Sequence, residues 1–279
     1  MSGLELPEIE TLKRDLERDA VGRKIKVVDV RSLKSLPEHR TKKSFSSLIE
    51  GAKVDAVDRD ALAIVLTLNN EHSVVIELGN EGTLQRCPSK TAIESKTAVI
   101  ITFTQGGDLR VIDGDGSAAV SAVLTEEIAT VLLPANERGL DLLATPISWV
   151  DFSYFIRDKT EPLRVLLTDP AYFVGIGDIY ADEILFDAGL RYDRVADQLT
   201  TMEVRRLHRS LVGVLHDAIK YRGTSLETRP FIDLNGAPGE FADHLAVYGK
   251  NGQLSPRNRQ PIEKAQFKGK TVYFCGTQV

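Results

Sequence analysis

The chain has 279 residues, enough for one large domain or two of ordinary size, and its 42% hydrophobic and 27% charged content excludes disorder, collagen-like repeats and coiled coil as the main architecture. No apolar stretch, such as 61–66, nears the roughly 18 residues of a membrane span, and the first turn carries Glu5, Glu8 and Glu10 rather than a basic and then apolar segment, so a cytoplasmic location with no membrane partner is expected. The formal charge of −5 is uneven: Lys250, Arg257, Arg259, Lys264, Lys268 and Lys270 face Glu263 alone in residues 247–279, which leaves −10 on residues 1–246, an acidic body that meets a polyanion only through local patches.

In chain order, Pro7 and the acids around it open a helix in which Ile9, Leu12 and Leu16 recur at helical spacing to about residue 19. Short β-rich runs follow at 24–30, 53–68, 73–78, 97–103 and 109–112, separated by turn signals such as Asn69-Asn70 and Gly106-Gly107, a pattern that predicts a sandwich. Residues 132–143, with Pro134, Asn136 and Gly139, read as a linker. Helical periodicity takes over at 149–157, 160–168, 178–188 and 200–221, and Gly175-Ile176-Gly177-Asp178 opens the third of these with backbone N–H groups suited to packing in a tight turn or to holding an anion. From residue 247 the chain reads as a turn and a short hairpin with Lys268-Gly269-Lys270-Thr271 near its tip. Cys87 and Cys275 are too few for a disulfide framework or, by themselves, for structural zinc. A Ca²⁺ loop at 113–115 fails the twelve-residue ligand pattern.

Four ordered blocks resemble the formamidopyrimidine-DNA glycosylase and endonuclease VIII family of bacterial repair enzymes. Leu4-Glu5-Leu6-Pro7-Glu8-Ile9-Glu10-Thr11 is similar to its opening Pro-Glu-Leu-Pro-Glu-Val-Glu-Thr, and Phe173-Val174-Gly175-Ile176-Gly177-Asp178-Ile179-Tyr180-Ala181-Asp182-Glu183 to its helix-two-turn-helix segment. Arg222-Gly223-Thr224-Ser225-Leu226, with Gly236 to Phe241 and Val247-Tyr248-Gly249-Lys250, resembles the loop leading to its zinc finger. Gly269-Lys270-Thr271-Val272-Tyr273-Phe274-Cys275 resembles the finger's last strand. The resemblance implies an α+β chain: an N-terminal two-sheet β-sandwich with an N-terminal helix (1–133), a helical helix-two-turn-helix domain (146–246) and a C-terminal zinc-less β-hairpin finger (247–279), a monomer with DNA in the cleft between domains.

The resemblance also locates the family's reagents. Its nucleophile, the secondary amine of an N-terminal proline, aligns with Leu4, and the α-amine of Ser2, were Met1 removed, is the alternative amine. Its catalytic carboxylate aligns with Glu5, which reads equally as a dipole-complementing helix residue. The hairpin lysine falls on Leu62. The wedge residues that replace an extruded base fall on Asn80 and on the loop Asp113-Gly114-Asp115-Gly116-Ser117-Ala118. A phosphate-binding asparagine falls on Asp178 and the finger arginine on Lys270. The four zinc cysteines fall on Ser255, Asn258, Cys275 and Gln278, so no metal and no cofactor is expected. With Lys270, the residues Lys250, Arg257, Arg259 and Lys268 are the candidates for contact with a nucleic acid, their alternative being a solvated basic hairpin. Three functions stay open: a catalytically degenerate family member with weak or altered DNA binding and no lyase activity, a monofunctional glycosylase in which Glu5 activates water on an unusual or single-stranded substrate, and a protein- or nucleoside-binding role without DNA.

Overall fold

The structure is a computed structural model that describes residues 3–132, 134 and 137–279. Ser2 therefore lies outside the described residues. The chain divides into two compact units: Met1–Ala135 with Arg222–Glu240, and Asn136–Tyr221 with Phe241–Val279. In the first, α1 (Leu6–Ala20) is followed by β1 (Ile25–Val30), α2 (Lys42–Ile49), β2 (Val54–Asp60), β3 (Ala63–Leu68), β4 (His72–Glu77), β5 (Gly82–Cys87), β6 (Thr97–Phe103), β7 (Asp108–Asp113), β8 (Ala119–Leu124) and the single turn α3 (Ile128–Val131). The strands form two four-stranded antiparallel sheets, ordered β2-β3-β4-β8 and β1-β6-β7-β5.

One core joins both sheets to α1. Leu12 and Leu16 pack with Val57, Leu66, Val74 and Ile76 of one sheet and Leu84, Val99, Ile101 and Val111 of the other, each such side chain contributing about 1.5–3 kcal/mol on burial. The helix lies here because Ile9, Leu12, Leu16 and Ala20 fall on one face. Strands β3 and β4 are buried on both faces, since Ala63, Val65 and Val75 meet Leu132 on the far side, and this second cover explains why residues 61–66 are apolar without alternation. Phe231 and Leu234 complete the core from the returning segment, and Arg86 N–H donates to the Leu234 carbonyl at 2.7 Å.

The second unit holds α4 (Trp149–Arg157), α5 (Leu163–Thr168), α6 (Asp178–Ala188), α7 (Thr201–Lys220) and a hairpin of β9 (Ile262–Phe267) and β10 (Lys270–Cys275). Helix α6 is buried on almost every side and stops where Gly189 takes φ +67°, a left-handed conformation that a glycine adopts at little cost. Helix α7 starts in a Thr200/Glu203 capping box. The helices predicted at 149–157 and 178–188 match their observed bounds, and α5 and α7 fall within theirs. The sequence pattern does not show α2, in which only Phe45 and Ile49 are buried, the short strands β5 and β8, or the single turn α3.

Candidate functional site

At the start of α1 the chain turns its polar atoms inward. Leu4 is joined to Gly3 by a peptide bond and packs, half-buried, against the core of the first unit. Glu5 is the N-cap residue and 2% exposed; its carboxylate accepts from the Glu8 N–H, and Glu8 Oε2 accepts from the Glu5 N–H at 3.2 Å. Glu8 Oε1 also accepts from Thr224 N–H at 2.7 Å, a close approach that places Gly223, at φ +81°, where a Cβ would collide with the Glu8 side chain. Arg229 completes the arrangement: Nη1 donates to Glu5 Oε1 at 3.1 Å and Nη2 to the Gly3 carbonyl at 2.7 Å. A tight turn fixes Arg229, with reciprocal backbone bonds to Leu226 of 3.0 and 3.1 Å. Sequence reasoning found Glu5 and missed Arg229, because no periodicity connects residues more than 220 positions apart.

The surrounding loops of this unit are polar and tied to themselves. At the β2–β3 turn Leu62 packs on the core, while Arg59 pairs with Glu10 at 3.0 Å and donates to the Ala61 carbonyl at 2.6 Å. Asn80 N–H donates to Ser117 Oγ at 2.9 Å. Asp113 Oδ1 accepts from Gly116 and Ala118 N–H at 2.9 and 3.1 Å, and Ser35 Oγ donates to Asp113 Oδ2 at 2.9 Å. The positions aligned with wedge residues thus carry short side chains that hold one loop to the other.

In the second unit the charges converge on α6. Arg164, 3% exposed, donates from Nε to Asp182 Oδ1 at 2.7 Å and from Nη2 to Asp178 Oδ1 at 2.8 Å. The other Asp178 oxygen lies 3.8 Å from Lys270 Nζ, and Asp182 Oδ2 accepts from Tyr273 N–H of β10 at 2.9 Å. Burial pushes the Asp182 carboxyl up to about 7 against the lowering effect of Arg164. Next to it, Glu183 accepts from three consecutive backbone N–H groups, Ala246 at 2.8 Å, Val247 at 2.9 Å and Tyr248 at 2.7 Å, and burial raises its pKa as well. Asp178 and Lys270 are therefore brought together, 3.8 Å apart. Lys250 is turned to the Leu245 carbonyl, and Arg257 donates to the Asp187 carbonyl at 2.7 Å and lies over the Phe186 ring, so both are engaged inside the unit. Arg259 and Lys268 are exposed, with Lys268 at the hairpin tip.

Ser255, Asn258, Cys275 and Gln278 also converge. The Cys275 thiol donates to Asn258 Oδ1 at 3.3 Å, Gln278 Oε1 accepts from the Cys275 N–H at 2.7 Å, and Asn258 Nδ2 donates to Thr277 Oγ1 at 3.1 Å. Burial pushes the thiol pKa up, and hydrogen bonds from Thr277 and Ser255 outweigh it. These residues do not fit the zinc that four cysteines hold in the family the chain resembles: one sulfur is present, and the carboxamide oxygens that would have to serve in place of the others already accept hydrogen bonds. Among the described residues no group of three or more His, Cys, Asp or Glu is placed to hold a metal, and no helix is long and apolar enough to cross a membrane.

A two-sheet unit with a buried N-terminal helix, together with a helical unit that ends in a hairpin, defines a chain of the helix-two-turn-helix DNA glycosylase class. The formamidopyrimidine-DNA glycosylase N-terminal domain matches residues 4–117, and the formamidopyrimidine-DNA glycosylase H2TH domain matches residues 139–230. The formamidopyrimidine-DNA glycosylase of Moorella thermoacetica is 31% identical over 265 residues, 94% of each chain, and that of Latilactobacillus sakei is 30% identical over 273, covering 97% of this chain and 96% of its own. The crystal structure of MutM (Fpg) from Thermus thermophilus superposes with a TM-score of 0.82 at 29% identity over 98% of this chain and 97% of that one. Lactococcus lactis Fpg in complex with abasic-site DNA gives 0.85 at 23% identity over 97% of each, a likeness of fold. The chain belongs to the formamidopyrimidine-DNA glycosylase family.

Proposed function

We propose that this chain is a divergent member of its family that engages DNA in a weak or altered manner and performs no β-elimination at an abasic sugar. One observation carries the reading. The nitrogen at the position of the family's proline is the Gly3–Leu4 amide, whose lone pair is delocalised into the carbonyl, so it cannot condense with C1′ to a Schiff base. Two further features support it. Glu5 spends its carboxylate on the helix cap and on Arg229, which makes it a structural anion rather than a base facing substrate. Asp178 presents a negative group where a phosphate would sit, already paired with Arg164. DNA as the partner follows from the relatives, of which Lactococcus lactis Fpg is seen with abasic-site DNA.

The deciding experiment is borohydride trapping on duplexes carrying an oxidised purine or an abasic site, run beside fluorescence anisotropy at low and moderate salt. The expected result is no covalent adduct, no strand cleavage above background, and modest binding that weakens as salt rises. A robust adduct overturns the proposal. Base release without an adduct, abolished by Glu5→Gln, replaces it with a monofunctional glycosylase in which Glu5 activates water. No binding even at low salt refutes the DNA half of the reading and leaves a protein- or nucleoside-binding role.

A further inference from the structure

The hairpin of the second unit is closed by two turns of matching spacing, Ser255-x-x-Asn258 before β9 and Cys275-x-x-Gln278 after β10. Each is built by its own backbone. In the first, Ser255 N–H donates to the Gln260 carbonyl at 2.8 Å, Arg259 N–H donates back to the Ser255 carbonyl at 2.9 Å, and Arg259 takes φ +62° to close the loop. In the second, Gln278 N–H donates to the Cys275 carbonyl at 2.9 Å. Strand pairing brings the two turns together, since Cys275 lies opposite Ile262 at the open end of the ladder.

The four side chains then satisfy one another. Ser255 Oγ accepts from Arg257 N–H at 3.3 Å, and the Cys275 thiol lies 3.6 Å from Thr277 Oγ1. Asn258 Oδ1 accepts from Gln260 N–H at 3.1 Å and from the thiol. Gln278 receives the Cys275 N–H on its oxygen and gives its Nε2–H to the Leu190 carbonyl at 2.8 Å, which anchors the cluster just beyond the end of α6. The last residue adds two backbone bonds to the same place, Arg191 N–H to the Val279 carbonyl at 2.8 Å and Val279 N–H to the Gly189 carbonyl at 3.2 Å. Ser255 and Cys275 are fully buried. A buried polar group without a partner costs roughly 1–3 kcal/mol, so the cluster stabilises the two turns through bonds already made.

We infer that this hydrogen-bonded cluster has taken over the task a tetrahedral metal performs at such a pair of turns, so that the hairpin carrying Lys268 and Lys270 folds and stays docked on its unit without any metal, with Cys275 as a closed-in, reduced thiol. The inference stands apart from the presence or absence of lyase chemistry. It has a constructive corollary: because the four positions already converge, three substitutions, Ser255→Cys, Asn258→Cys and Gln278→Cys, would turn the cluster into a four-thiolate site.

The test uses the full chain. After equilibration with excess zinc and desalting, it should retain less than about 0.1 equivalent of metal, a small fraction of the single ion that a structural site holds, and its unfolding midpoint should be unmoved by a strong chelator. A thiol reagent should label Cys87 in the native state and Cys275 only after unfolding. Gln278→Ala should speed hydrogen exchange in β9 and β10 while leaving α1 unchanged. The triple cysteine variant should bind one cobalt ion with the absorption of tetrahedral thiolate, and its midpoint should fall on chelation. Stoichiometric zinc in the native chain, or a chelator-sensitive midpoint, overturns the inference, as does a folded triple variant that binds no metal. Should the triple variant fail to fold, metal content and hydrogen exchange in Gln278→Ala still decide: an unchanged hairpin would remove the cluster's role.

Discussion

Helices α1 and α6 solve the same structural problem and carry side chains of opposite character at their starts. Each keeps a buried glutamate that reaches across sequence to bind backbone N–H groups: Glu8 takes those of Glu5 and Thr224, and Glu183 takes those of Ala246, Val247 and Tyr248. Beside each stands a position where the resemblance implies a reagent. At α1 that position is the apolar Leu4, packed on the core; at α6 it is the acid Asp178, held in an ion pair.

The sharpest way to break that comparison is Glu183→Ala, which strands three backbone donors, that of Val247 buried and those of Ala246 and Tyr248 half-buried, and should cost on the order of 3 kcal/mol in urea unfolding, with Glu183→Gln losing less because an acceptor remains. A cost below about 1 kcal/mol would show the glutamate to be dispensable. Glu8→Ala, with two donors, should cost about 2 kcal/mol. Asp178→Asn tests the other half: removing a like charge about 4 Å from an incoming phosphate is worth ~1 kcal/mol, or roughly fivefold tighter DNA binding at low salt, read by anisotropy. Unchanged affinity would mean that no phosphate approaches α6. A further effect concerns pH. Asp182 is raised in the folded state from 3.8 to about 7, so the folded chain holds a proton that the unfolded chain releases. Its contribution to stability is fully present below about 3.8 and is lost as pH rises through about 7, and Asp182→Asn should flatten that part of the stability curve.

Much of this was legible in the residues and some was not, for reasons of range. Helix α6 follows from local pattern, as does the start of α1, which Pro7 and the acids around it mark, while the Glu5/Glu8 capping box and the cap at Gly189 emerge only in the structure. Strand β5 has a single deeply buried apolar side chain, Leu84, too little for alternation to register. The partners that define the candidate sites, Arg229 for Glu5 and Arg164 for Asp178, come from other segments, and only the folded chain brings them together.

Residues Arg222–Glu240 belong to the first unit although the helices of the second precede them. Synthesis at the ribosome therefore cannot finish the first unit when its eight strands have emerged: Phe231 and Leu234 are still missing from its core, and Glu8 still lacks Thr224. A nascent chain stalled near residue 135 would expose an unfilled apolar surface, so the helices of the second unit are made before the first is closed, and the hairpin that completes the second comes last.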